Sequence, residues 1–223
     1  MQLPAAVVFD CDGTLIDSER VTVAGMREAL RQQGHTLTDE DVAEMVGHPW
    51  PRTRNRIVQR FGLTEEELES YRRTMIRLVR PQMQDDGLVF EDVVRTLTGL
   101  AQLGVPLAVC TSSGRQHLDR VLSLTPLRDT FVVSVAREDV VRHKPDPLPY
   151  HAAIDRLAAH LGVPLVAADV TVVEDSWAGV AAGVAAGCWT VAVDRGAGLH
   201  DLSHADVVVA QLDVDALCRI RAA

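Results

Sequence analysis

Two kinds of hydrophobic pattern divide the chain. Between residues 18 and 80, apolar positions recur at the three- and four-residue spacing of amphipathic helices, and no strand pattern is evident. The predicted helices are Ser18–Gln33, a segment from the Thr38 cap to Gly47, Arg52–Phe61, and a segment from the Thr64-x-x-Glu67 capping box to about Arg80. His48-Pro49-Trp50-Pro51 is predicted to be a loop, because two prolines remove backbone donors and restrict their neighbours.

The rest of the chain alternates short apolar runs with helical segments. The predicted strands are Val7–Phe9, Pro106–Cys110, Phe131–Val135, Val170–Val173, Trp189–Val193 and Val207–Val209. The predicted helices are Val89–Leu103, Arg115–Leu124, Pro147–Leu161, Ala178–Ala186 and a last one from about Asp213. This alternation is typical of a parallel sheet covered on both faces. We therefore expect an α/β fold, a Rossmann-like doubly wound parallel sheet of residues 1–16 and 89–223, with an α-helical insertion at 17–88.

Composition narrows the class of protein. The formal charge of −9 argues against a nucleic-acid partner, since such binding depends on Lys and Arg neutralising phosphates. No apolar run approaches the roughly 18 residues of a membrane span, and the start lacks the features of a signal peptide. We expect a cytoplasmic protein without a membrane partner, as a monomer or small homo-oligomer. The cysteines lack the paired spacing of zinc or redox sites and are expected to be reduced.

Polar side chains follow four of the predicted strands. They are Asp10 and Asp12 after the first strand, Thr111 and Ser112 after the second, Lys144 after the third, and Glu174 with Asp175 after the fourth. Each set alone has an ordinary structural explanation as a turn, a helix cap or a surface charge. In open α/β sheets, however, ligands bind beyond the carboxyl ends of the strands, so these groups are expected to meet. Lys144 is also the only lysine of the chain.

This set of motifs resembles the haloacid dehalogenase superfamily, in its branch of phosphatases and phosphomutases with an α-helical cap. The motifs occur in order as Asp10-Cys11-Asp12-Gly13-Thr14, Thr111, Lys144-Pro145 and Glu174-Asp175-Ser176, with Gly179 and Ala185-Ala186-Gly187 behind the last. The resemblance spans nearly the whole chain, and it implies that the inserted helices are the cap.

The resemblance also implies a covalent mechanism. Asp10 would attack phosphorus to give an aspartyl-phosphate, and Asp12 would act as general acid and then as general base. Thr111, Ser112 and Lys144 would hold the phosphoryl group and offset its charge. The implied cofactor is Mg²⁺, held by Asp10, the Asp12 carbonyl and Asp175, with Glu174 bound directly or through water; an oxygen-only set suits this ion.

Single residues separate the branches of this superfamily. Dehalogenases lack the second acid of the first motif, so Asp12 argues against that reaction, and the absence of a cap lysine argues against phosphonate cleavage. β-Phosphoglucomutases carry a hinge histidine where this chain has Thr22. We expect Mg²⁺-dependent hydrolysis of a small phosphate monoester, such as a sugar phosphate, with a β-phosphoglucomutase-like mutase as the alternative. Two other classes of protein fit less well. A receiver-type signalling domain would be about half as long and would lack the helical insertion, and a catalytically inactive phosphometabolite-binding protein would not need the complete set of acids.

Three residues of the predicted cap loop are candidates for reading the substrate: His48, Trp50 and Arg52. A second interpretation stands beside this one, because Arg52, Arg54 and Arg56 also have the spacing of a solvated helix face. Arg115 has two interpretations as well, contact with a phosphate oxygen or a role in beginning its helix.

Overall fold

A computed structural model describes residues 2–45, 50–196 and 201–218. The chain separates into two compact units, one formed by residues 1–16 and 86–223 and the other by residues 17–85. The chain leaves and re-enters the first unit at adjacent points, where Ile16 and Val89 form an isolated antiparallel bridge.

The first unit contains a six-stranded parallel sheet. The strands are β1 (Ala6–Phe9), β2 (Leu107–Cys110), β3 (Val133–Val135), β4 (Val170–Glu174), β5 (Trp189–Val193) and β6 (Val207–Val209). Their order across the sheet is β3-β2-β1-β4-β5-β6, and each neighbouring pair is parallel. Such sheets are buried on both faces, which explains why β1 and β2 are continuous apolar runs rather than alternating ones.

The second unit is helical in its described residues. Its helices are α1 (Ser18–Arg31), α2 (Asp39–Met45), α3 (Trp50–Phe61) and α4 (Glu65–Gln82). The predicted capping box is present at the start of α4, where the Thr64 hydroxyl accepts from the Glu67 N–H at 3.3 Å and the Glu67 carboxylate accepts from the Thr64 N–H at 2.8 Å. Thr38 precedes α2 as a cap, its hydroxyl accepting from the Asp41 N–H at 3.2 Å.

The described part of the first unit also contains four α-helices, of which the third and fourth along the chain pack on the sheet. They are α5 (Glu91–Gln102), α6 (Arg115–Leu122), α7 (Leu148–Leu161) and α8 (Trp177–Ala185). Buried Ala6 and Val8 of β1 form one core cluster with Tyr150 and Leu157 of α7. The α/β, Rossmann-like prediction is therefore confirmed. In the described residues, no helix has both the length and the apolar composition that crossing a bilayer requires.

Three local predictions were wrong. Trp50 and Pro51 belong to the first turn of α3, where a missing proline N–H costs nothing because that donor has no partner inside the helix. Pro81 lies inside the last turn of α4, so this helix does not end before it. Near the C-terminus, residues 215–217 form a 3₁₀ turn where a longer helix was predicted from Asp213; residues 219–223 lie outside the described part of the chain.

Candidate active site

The loops after the strands are tied to neighbouring strands at one edge of the sheet. The Asp10 N–H donates to the Val173 carbonyl of β4 at 2.9 Å, and the Thr111 N–H donates to the Val135 carbonyl of β3 at 2.9 Å. Each loop therefore continues the hydrogen bonding of the sheet for one residue before it turns away. This places the side chains that follow β1, β2 and β4 at the same carboxyl edge.

Lys144 joins three of these loops. Its Nζ donates to Asp10 Oδ1 at 2.6 Å, to Glu174 Oε1 at 2.6 Å and to the Cys110 carbonyl at 2.9 Å, and its side chain is only 4% exposed. The ammonium also lies 4.8 Å from the centre of the Tyr150 ring. Burial alone would lower the pKa of Lys144, but the carboxylates of Asp10 and Glu174 raise it well above its usual value. Lys144 is therefore a fixed positive charge.

Asp10 is a buried carboxylate with a perturbed pKa. Its burial raises the pKa of the carboxyl group to about 7, although the Lys144 ammonium acts in the opposite direction. The contact of 2.6 Å with the Lys144 ammonium also fixes the orientation of the Asp10 carboxylate. A second positive charge beside Asp10 would favour its ionised form further.

Glu174 is completely buried and saturated with hydrogen-bond donors. Besides Lys144, it accepts from the Tyr150 hydroxyl at 2.6 Å, the Ser176 hydroxyl at 3.0 Å, and the N–H groups of Asp175 and Ser176 at 3.2 and 3.3 Å. A Cβ on Gly179 would lie 1.8 Å from the Glu174 carboxyl carbon, so this helix residue must be glycine for the carboxylate to sit where it does.

Three carboxylates at this edge could together bind a cation. One oxygen each of Asp10, Glu174 and Asp175 lies within 4.8 Å of the others. Asp175 accepts from the Thr14 hydroxyl at 3.1 Å, and a Cβ on Gly13, whose φ is +82°, would fall 2.0 Å from Asp175 Oδ2. The backbone thus makes room for this carboxylate. An oxygen-only donor set with this charge fits a hard divalent ion such as Mg²⁺.

Asp12 lies on the other side of the first motif's turn and has different partners. The Ser113 hydroxyl donates to its Oδ2 at 2.7 Å, and His117 Nε2 lies 2.9 Å from its Oδ1. Ser113, His117 and Tyr150 were not among the site residues predicted from the sequence. A lone histidine or tyrosine at a helical position carries no local signal, and each of these contacts joins distant parts of the chain.

Thr111 and Ser112 follow β2 as predicted. Thr111 is buried, and its hydroxyl oxygen accepts from the Ser113 N–H at 3.0 Å, which shapes the turn that presents Ser112 as an exposed residue. The turn also carries Ser113, so the loop that follows β2 contacts the loop that follows β1 through Asp12.

Arg115 contacts residues other than the carboxylates of Asp10, Asp12, Glu174 and Asp175. Its guanidinium donates to the Ser134 hydroxyl at 2.7 Å and forms an ion pair with Asp139, and its N–H donates to Glu138 at 2.8 Å. These contacts favour the interpretation in which Arg115 fixes the start of α6.

The remaining candidates belong to the helical unit. Trp50 is 43% exposed at the start of α3, and Arg52 is exposed on the same helix. Arg54 pairs with Glu65, and Arg56 lies 3.6 Å from Glu44, as expected of a solvated helix face. His48 lies outside the described residues.

A comparison with protein families decides the class of this enzyme. The family model for haloacid dehalogenase-like hydrolases matches residues 7–193, which include every motif described above. The chain belongs to the haloacid dehalogenase-like hydrolases. The resemblance noted in the sequence is thereby confirmed, and the protein is an enzyme of a hydrolase family.

Relatives within the haloacid dehalogenase-like hydrolases match along most of the chain. The phosphoglycolate phosphatase of Pectobacterium atrosepticum is 29% identical over 209 residues, covering 91% of this chain and 87% of its own. The pyrophosphatase of Bacillus velezensis is 29% identical over 190 residues, covering 84% and 82%. A crystal structure of a family hydrolase from Deinococcus radiodurans with bound phosphate and sodium has a TM-score of 0.72 at 27% identity, covering 94% and 92%.

Proposed function

We propose that this enzyme is a Mg²⁺-dependent phosphatase that hydrolyses a small phosphate monoester through an aspartyl-phosphate on Asp10. The observation that carries the proposal is the position of Asp10, whose carboxylate is held at 2.6 Å by the buried Lys144 ammonium while Asp12 lies two residues further on. Relatives named as phosphatases support the same reaction class. We assign residues 1–16 and 89–223 to the catalytic core and residues 17–88 to the cap.

The first step forms a bond between an Asp10 oxygen and phosphorus while the bond from phosphorus to the ester oxygen breaks. Asp12 gives its proton to that departing oxygen, so the product leaves as an alcohol. In the second step Asp12 takes a proton from water, whose oxygen bonds to phosphorus while the bond from phosphorus to the Asp10 oxygen breaks and inorganic phosphate leaves. Asp10 is thereby restored, and the two transfers return Asp12 to its protonated form.

Charge at phosphorus is balanced by this chain's own groups and by the cation. Lys144 lies against Asp10 and offsets the negative charge that accumulates there, while the Thr111 hydroxyl and the Ser112 N–H hold phosphoryl oxygens. When bound, Mg²⁺ would neutralise phosphoryl oxygens and favour in-line attack. Asp10, Asp175 and the Asp12 carbonyl would hold it; the many donors around Glu174 favour contact through water for that residue.

His48, Trp50 and Arg52 are our candidates for the substrate-reading residues, with Arg52 suited to an anionic substituent. The names of the relatives point to small phosphorylated metabolites.

We place the enzyme in the cytoplasm, because Cys11, Cys110, Cys188 and Cys218 are all free and buried, as in a reducing compartment.

A phosphate-release screen tests the proposal directly. The purified enzyme is assayed with Mg²⁺ against sugar phosphates, phosphoglycolate, nucleotides, phosphogluconate and pyrophosphate, and in parallel for isomerisation of sugar phosphates. Release from one or a few small monoesters is the expected result. Isomerisation without net phosphate release would instead establish the mutase. Thr22 argues against that outcome, because β-phosphoglucomutases carry a histidine at this position.

A further inference from the structure

The Asp12 carboxylate is held from one side by the start of α6. Ser113, in the turn before the helix, donates to Oδ2 at 2.7 Å, and His117, in the first turn of the helix, lies 2.9 Å from Oδ1 through Nε2. When Asp12 is ionised, its carboxylate only accepts hydrogen bonds and the imidazole donates from Nε2; when Asp12 carries the proton for the leaving group, Nε2 remains within hydrogen-bond distance of Oδ1. One contact on each oxygen fixes the rotation of the carboxyl group about its bond to Cβ.

We propose that His117 is a positioning residue for Asp12, which it orients for proton transfer to and from the reacting oxygens. The proposal rests on the role of Asp12 as acid and base given above. It assigns His117 no contact with substrate. Its contribution is to keep the Asp12 carboxyl group in one orientation, because proton transfer is efficient only when donor and acceptor are aligned.

The imidazole can do this because its own position is fixed. Leu118 and Val121, which follow His117 on α6, are fully buried, so this part of the helix is anchored in the core. The His117 N–H donates to the Gly114 carbonyl at 2.9 Å, and the His117 side chain is only 20% exposed. The helix therefore fixes the backbone from which the imidazole reaches Asp12, and little of the ring faces solvent.

A metal-binding role for the same group is less consistent with the structure. One ligand atom each of Cys11, Asp12 and His117 lies within 4.8 Å of the others, a set that could suit zinc. Zinc requires the Cys11 thiolate, however, and Cys11 is completely buried beside two carboxylates. Burial and the charges of Asp12 and Asp10 raise the pKa of the Cys11 thiol well above its usual value. The hydrogen bond from His117 to Asp12 needs no such ionisation.

The test compares two leaving groups. An alkyl monoester releases a strongly basic alkoxide that needs a proton, whereas p-nitrophenyl phosphate releases a phenolate that leaves unprotonated. The value of kcat/KM reports only on steps up to departure of the leaving group, so the later role of Asp12 as base does not contribute. Loss of Asp12 alignment should therefore lower kcat/KM for the alkyl ester selectively.

Three substitutions at position 117 and one control test this. His117→Leu removes the donor; His117→Gln keeps an N–H at similar reach; His117→Asn keeps an amide that is too short. Gln116→Leu changes an exposed neighbour on the same helix. The substrates are p-nitrophenyl phosphate and the fastest alkyl monoester of the phosphate-release screen. We expect His117→Leu and His117→Asn to lower kcat/KM for the alkyl ester by about 10- to 100-fold, and for the aryl ester by less than about 3-fold.

His117→Gln should recover most of the alkyl activity, and Gln116→Leu should behave as the wild type. Equal losses on both substrates, or no loss on either, would overturn the proposal. If His117→Leu does not fold, the Gln and Asn variants decide: equal activity of the two would count against a positioning hydrogen bond. Asp12→Asn separates this failure from failure of the proposed function, because selective loss in Asp12→Asn without loss in His117→Leu leaves Asp12 as the acid and removes only His117.

Discussion

Lys144 and Glu174 form an ion pair closed off from solvent, with Nζ 2.6 Å from Oε1 and side chains that are 4% and 0% exposed. The same Nζ contacts Asp10. The space around this ammonium is bounded by the Tyr150 ring and the Cys110 carbonyl. A guanidinium is larger and planar, and it cannot occupy this position without displacing one of these neighbours.

Lys144→Arg should therefore be costly although it conserves charge. We expect kcat/KM to fall by about 100-fold or more, because the carboxylate of Asp10 would lose its present orientation. Arg95→Lys is the matched control, since Arg95 is 65% exposed and pairs only loosely with Glu91 at 3.8 Å. Activity assays and thermal unfolding of both variants measure the difference, and equally small effects would refute the role of Lys144.

Asp10→Asn should abolish turnover while keeping the shape of the site. The amide is nearly isosteric with the carboxyl group but cannot form the acyl-phosphate, so we expect phosphate release to fall by about 10³-fold or more. Acid-quenched protein should likewise show no phosphoryl label. The control is Asp155→Asn, at an exposed position of α7. Substantial remaining activity of Asp10→Asn would show that Asp10 is not the nucleophile.

Chelation should silence the enzyme reversibly. We expect EDTA to remove activity and excess Mg²⁺ to restore it, because the edge of the sheet carries three neighbouring carboxylates with oxygen donors alone. Asp175→Asn should raise the Mg²⁺ concentration for half-maximal activity by about 10-fold or more, and Asp155→Asn should leave it unchanged. An enzyme indifferent to both EDTA and Mg²⁺ would contradict the metal assignment.

Gly179→Ala should damage the site through Glu174. The new methyl group would overlap the carboxyl carbon of Glu174 at 1.8 Å, so the carboxylate or α8 must move, at a cost of about 1–3 kcal/mol in the free energy of unfolding. Gly99→Ala in α5 is the control, because its Cβ would meet only a methyl group of Val214, at 2.7 Å. Chemical denaturation compares the two, and equal stabilities would show that Glu174 is free to move.

Asp139→Asn should destabilise the protein in a pH-dependent way. Burial would raise the pKa of Asp139, but hydrogen bonds from the Ala136 N–H and the Arg156 and Arg115 guanidiniums lower it to about 2. The stabilisation is thus fully present above the unfolded value of about 3.9 and is lost as pH falls through about 2. We expect a cost of about 1–2 kcal/mol at pH 7 that shrinks toward pH 2. A constant difference across this range would contradict the assignment.

The sheet, and the edge at which polar residues follow its strands, could be predicted from the sequence because both depend on local signals. Apolar runs that end in Asp10 and in Glu174 mark strand ends, and the capping box at Thr64 marks a helix start. Pro51 was predicted to lie outside the helix, although a proline in the first turn of a helix removes no hydrogen bond of that helix. Local patterns also gave no reason to expect a 3₁₀ turn at residues 215–217.

The hydrogen-bond partners of Asp12 and Glu174 could be identified only in the folded chain. His117 and Asp12 are separated by 105 positions, and Ser113 and Asp12 by 101. Tyr150 has the spacing of an ordinary core residue on α7, and only packing places its hydroxyl on Glu174. Strand ends can be identified from the sequence, but which side chain of one loop reaches which atom of another depends on helix placement.

The excess of carboxylates around Lys144 also has a thermodynamic consequence. When Asp10, Glu174 and Asp175 are ionised and Asp12 carries the proton that it gives to the leaving group, this one ammonium leaves the group with a net charge of about −2, which repels a phosphate dianion. A divalent cation lowers that repulsion, and the bound dianion in turn holds the cation. Cation and substrate should therefore bind with positive cooperativity, each increasing the affinity of the other by the same factor. An apoenzyme would be a poor competitor for phosphorylated metabolites, so the cell's free Mg²⁺ would govern substrate capture as well as chemistry.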